Sequence, residues 1–94
     1  MKKRKRIKVV YRKLGRDRVW GYAHKGDNLI ELDERLRGRK HLEILLHEMI
    51  HILLPEADEE EVVRLSVQAT MLLWTEGYRR VDNSSEDFLQ DEIG

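Results

Sequence analysis

Two histidines four residues apart enclose a glutamate at His47-Glu48-Met49-Ile50-His51. On a helix, residues four apart stand one turn above each other on the same face. His47 and His51 can therefore aim ring nitrogens at one metal ion. Glu48, one position on, lies beside that face, within reach of a water bound to the metal. The pattern thus supplies two ligands and a general base, the components of metal-assisted hydrolysis.

The surrounding residues strengthen this reading. From Leu42 to Leu54, nine of thirteen residues are apolar, the others being Glu43, His47, Glu48 and His51. A helix apolar nearly all round is a buried helix. Burying two imidazoles and a carboxylate together is costly unless they are paired or hold a metal. The competing interpretation is a hydrogen-bonded His-Glu cluster in a core helix. There is no cysteine, which excludes disulfides and thiolate metal sites. Imidazole and carboxylate donors suit zinc, with one Zn2+ expected per chain.

A catalytic zinc takes three protein ligands and one water, so one ligand must come from outside the motif. His41 precedes His47 by six residues, about 240° round a helix, and faces away. His24 lies at a strand end and stays open as a source. The acidic run Asp58-Glu59-Glu60-Glu61 behind Pro55 is the better one. A tight turn at Pro55 predicts a second helix antiparallel to the first, with its start near His51. Glu60 precedes Val63 by one turn on the expected inward side and ranks first; Glu59 and Asp58 are alternates. Acids at a helix start also complement the macrodipole, whatever else they do.

The elements that must position these residues read as β-β-β-α-α in one α+β domain. Ile7–Leu14 and Val19–His24 alternate as strands around a turn at Gly15-Arg16-Asp17. Lys25-Gly26-Asp27-Asn28 is a turn signal and Leu29–Leu32 a short third strand. Together they predict a three-stranded antiparallel meander. Asp33–Gly38 reads as a loop or single turn, Asp33 capping and Gly38 stopping it. The motif helix is expected from about Arg39 to Leu54, ended by Pro55. Asp58 with Glu61 forms an acidic capping box for a helix from about Glu59 to Glu76, and Gly77 stops it. Val62, Val63, Leu65, Ala69, Leu72, Leu73 and Trp74 give that helix an apolar face toward the first.

Residues 1–81 thus form one small domain, and the acidic segment 82–94 reads as a flexible tail. Net charge is zero but segregated: residues 1–41 carry 15 Lys/Arg against 5 Asp/Glu, and residues 42–94 carry 3 against 13. Opposite halves can compensate within one fold, and that is the favoured reading over a nucleic-acid surface at the basic start. No apolar run is long enough to span a bilayer. The basic N-terminus lacks the apolar stretch of a secretory signal, so the expected compartment is the cytoplasm.

Residues 42–54, and more loosely 19–78, resemble the zincin metallopeptidases, specifically their smallest Glu-ligand, gluzincin-like members. The carrying features are His47-Glu48-Met49-Ile50-His51, Pro55 behind it, and the Glu59-Glu60-x-Val62 helix start. The chain is similar to short metallopeptidases found in bacteria and phages, with the ImmA/IrrE group more distant. The resemblance implies a three-stranded sheet before the motif helix and a Glu on the next helix completing the metal site. The metzincin pattern does not fit: its third His would fall where Ala57 stands.

The implied activity is hydrolysis of a peptide bond in a partner protein or flexible peptide, with Glu48 as general base on the zinc-bound water. A second electrophile is expected from Tyr78 or Tyr22, with His24 and Arg79 as further candidates. Leu29–Leu32, if at a sheet edge, is expected to pair with the substrate. The alternative is a zinc-stabilised protein- or nucleic-acid-binding module without turnover.

Overall fold

The computed structural model describes residues 6–81. Most of the basic run at the N-terminus and all of the tail 82–94 lie outside the described residues. Strand β1 (Lys8–Arg12) is followed by a 3-10 turn at Gly15–Asp17, then β2 (Gly21–His24). A second 3-10 turn at Lys25–Asp27 leads to β3 (Leu29–Asp33), then helices α1 (Gly38–Leu53) and α2 (Glu59–Thr75). The α+β class and the element order are those expected.

The sheet is not the expected meander. Its order is β1-β3-β2, with β1 parallel and β2 antiparallel to β3. The sheet is mixed because β1 and β2 are not joined by a tight hairpin. After β1 the chain dips to bury Leu14, which is 2 % exposed. The Leu14 N–H donates to Asp33 Oδ2 at 3.1 Å, at the end of β3. This detour leaves a strand-wide slot between β1 and β2. The short Lys25–Asp27 connection then returns β3 into it, pairing Tyr22 with Glu31 and Ala23 with Ile30. Asp33 does not cap a helix. It is fully buried and ties three segments, accepting from Leu14 N–H, Arg35 N–H and the Arg35 guanidinium.

Successive strand residues alternate faces. Ile30 and Leu32 of β3 turn toward α1 and, with Leu36, form the core on which Ile44, Leu45, Met49 and Ile52 pack. On the far side α1 meets α2, where Val62 is fully buried. Contact on both sides is why α1 is apolar around most of its circumference. No described helix is long and apolar enough to cross a membrane.

The ends of α2 obey local rules. Asp58 accepts from Glu61 N–H at 2.8 Å. Gly77, at φ +91°, lets Tyr78 N–H reach Leu73 O at 2.9 Å and closes the helix. Its inward face differs from expectation. Val62, Ser66 and Thr70 take the buried row, whereas Val63 and Leu72 are exposed. Ser66 and Thr70 satisfy their hydroxyls on carbonyls of their own helix, Val63 O and Ser66 O. Small side chains at these positions let the two helices approach.

Candidate metal centre

His47 and His51 project from one face of α1 toward the start of α2. Their ring centroids are 5.0 Å apart, inclined at 68°. The carboxylate between them and α2 is that of Glu59. Its Oε2 lies 3.1 Å from His47 Nε2 and its Oε1 3.1 Å from His51 Nε2. One donor atom from each of the three lies within 4.8 Å of the others. At zinc bond lengths near 2.0–2.1 Å, tetrahedral donors stand about 3.3 Å apart. Two imidazole nitrogens and a carboxylate oxygen are donors of the kind a divalent ion takes, and this group could hold one. The histidine side chains are 20 % exposed and that of Glu59 is 66 % exposed, so the group opens to solvent past α2.

Glu60, the residue ranked first for the third ligand, is not in this group. It is exposed and, with Asp58, Glu61 and Arg64, lines a shallow surface depression. The cause is the phase of α2. The inward residue is Val62, not Val63, and a helix advances about 100° per residue. Glu59 lies one turn before Val62 and shares its face, whereas Glu60 shares that of exposed Val63. Asp58 is engaged as the α2 cap.

Glu48 faces the sheet beside the histidines. It is 9 % exposed. Burial pushes its carboxyl pKa up, partly opposed by His47 and His51, while the Glu59 charge adds to the rise. Gly21 of β2 makes room for it: a Cβ on Gly21 would stand 3.1 Å from Glu48 Cγ, Ile44 Cγ2 and Glu31 O alike. Gly21 was not singled out by the motif, but a glycine inside a strand pattern is a known sign of close backbone approach.

The remaining candidates lie elsewhere. Tyr22 and His24 are on the sheet face opposite α1, because Tyr22 pairs with Glu31 while Ala23 pairs with the core residue Ile30. There Glu31 is paired with Arg12 and lies 3.3 Å from His24 Nε2. The Arg12 guanidinium, then His24, holds the Glu31 carboxyl below the usual range against its burial. Tyr78 and Arg79 sit at the other end of the helical pair, lining a groove with Gly38 and His41. Arg79 stacks 3.5 Å over the Trp74 ring and donates to Trp74 O. His41 is 6 % exposed, bonded to Tyr11 Oη at 2.8 Å and clear of the metal group. Leu29–Leu32 belongs to the central strand β3, so it offers no edge to a peptide. Among the described residues, the sheet edge beside Glu48 is that of β2.

No protein-family profile, curated protein or solved structure matches the chain.

Proposed function

We propose that the protein is a zinc-dependent peptidase of minimal zincin type, with His47, His51 and Glu59 as ligands and Glu48 as general base. The observation that carries this reading is the buried carboxylate of Glu48 beside a three-donor group. A zinc site that only stabilised the fold would not need it. A divalent ion held by the three donors supplies Lewis acidity and brings the pKa of water toward neutrality. Glu48 takes a proton from the attacking water and passes it to the departing amine. An extended peptide adding to the edge of β2 would run past Gly21 and so past Glu48.

A second reading is zinc-stabilised binding without turnover. It is favoured by the placement of Tyr22, His24, Tyr78 and Arg79, all away from the ligands. The two are separated by measuring zinc content and hydrolysis of a quenched-fluorescent peptide library for wild type and Glu48→Gln. The peptidase reading expects both proteins to hold about one zinc. It also expects Glu48→Gln to lose turnover by about 100-fold or more. Equal zinc with equal background hydrolysis would leave the binding module.

A further inference from the structure

The face of the molecule around Trp20 combines an exposed indole with cations that, Arg35 apart, have no acidic partner among the described residues. Trp20 is 38 % exposed just before β2. Its carbonyl accepts from Asp33 N–H at 2.9 Å, which pins it beside the end of β3. The Arg35 guanidinium lies 5.1 Å and the Lys40 ammonium 4.6 Å from the indole ring centre. Arg35 is engaged elsewhere, since Nε and Nη2 donate to the buried Asp33 carboxylate at 2.9 and 3.1 Å. Next to Arg35, a surface depression of about 500 Å3 is lined by Lys13, Gly15, Arg16 and Glu34.

Among the described residues, Lys13, Arg16 and Lys40 have no carboxylate within ion-pair distance. The adjoining first turn of α1 holds no acid and no side-chain cap, but carries Arg39 and Lys40. Cations at that end oppose the helix dipole instead of complementing it. This arrangement is unfavourable for the isolated fold and favourable toward an external polyanion.

We propose that this surface binds single-stranded nucleic acid, one base stacking on Trp20 while Lys13, Arg16 and Lys40 take phosphates. Base–aromatic stacking outweighs an exposed cation–π contact, so the flexible Lys40 yields the ring and moves to the backbone. An acidic peptide would use the cations alone and leave the indole without a role. A duplex hides its base faces and would do the same. The surface uses none of the three metal donors His47, His51 and Glu59, so its binding is expected without zinc.

The test uses the full chain, with and without zinc, and fluorescein-labelled 15-mers of oligo(dT) and oligo(rU) at about 50 mM salt, where phosphate contacts are strong. Anisotropy gives the affinity, and a Trp74→Phe background lets indole emission report Trp20 alone. The expected results are binding of at least one oligomer, quenching of Trp20, and about tenfold weaker binding by Trp20→Ala. Arg16→Ala with Lys40→Ala, which leaves the indole in place, should lower the log–log salt slope by about 1.4, two phosphate contacts on a single strand. Comparison of the two oligomers tells DNA from RNA as the preferred source. No binding overturns the proposal. So does binding that Trp20→Ala and the double variant leave unchanged, which would belong to residues 2–6. Equal or tighter binding of polyglutamate or of a 15-base-pair duplex overturns it as well.

Discussion

Gly21 and Glu48 lie against each other across the sheet–helix interface, with Glu48 Cγ only 3.1 Å from where a Cβ on Gly21 would stand. The backbone of β2 is thereby set against the Cγ methylene of the motif glutamate. The contact is steric rather than torsional, because Gly21 is not among the residues with positive φ.

Gly21→Ala is expected to lose about 1–3 kcal/mol of stability, as overpacking against backbone and two side chains cannot relax freely. Chemical denaturation of zinc-free protein measures it. Glu48→Ala in the same background should restore part of the loss, because one of the crowding atoms is removed. A fully tolerated Gly21→Ala would show that the strand and helix are looser than described.

Glu59→Gln and Glu60→Gln discriminate between neighbouring acids. Zinc affinity, measured by competition with a chromophoric chelator, should fall about 100-fold or more for Glu59→Gln. It should hold for Glu60→Gln. Zinc in large excess should also raise Tm by more than about 10 °C in wild type. That rise should vanish in His51→Ala. The opposite ranking of the two glutamates would mean that the start of α2 is rotated by one residue.

Asp33 links stability to acid pH. Arg35, through its guanidinium and backbone N–H, and the Leu14 N–H hold its carboxyl well below the usual range, against the burial that opposes ionisation. A carboxyl lowered in the folded state stabilises fully above its unfolded pKa, near 3.9, and loses that contribution as pH falls. Asp33→Asn should therefore be less stable than wild type at neutral pH. The gap should narrow as pH is lowered from about 5 to about 3. Urea denaturation at a series of pH values gives both curves.

His41 acts at higher pH and with the other sign of charge. Burial first, then the nearby Arg80 and Arg37 charges, push its pKa down. The unfolded imidazole, with a pKa near 6.5, binds a proton before the folded one does. Stability is therefore full above about pH 6.5 and is lost as pH falls below it. His41→Gln should lose the Tyr11 contact and be less stable at neutral pH, yet show a shallower decline toward about pH 5.5. Zinc-free protein is required, so that metal binding enters neither curve.

The sequence by itself determined what depends on neighbours along the chain. The pairing of His47 with His51 on one face follows from helical spacing alone. The Asp58 cap and the Gly77 stop follow from local chemistry; the apolar run 42–54 is only partly buried, through Leu46, Glu48 and Ile50, and its end at Leu53 and Leu54 is exposed. The tertiary structure decided what depends on contacts between distant segments. Leu14 and Asp33, nineteen residues apart, hold the detour that makes the sheet mixed. That sheet order puts β3 at the centre and β2 at the edge beside Glu48. It also turns Tyr22 and His24 away from the metal group. The choice between Glu59 and Glu60 rested on the phase of α2, and composition could not set it. Val63, Val67 and Met71 make the outer face as apolar as the inner one, while the buried row contains Ser66 and Thr70. With apolar residues on both sides of a helix, one step of about 100° is fixed only by the surface against which it packs.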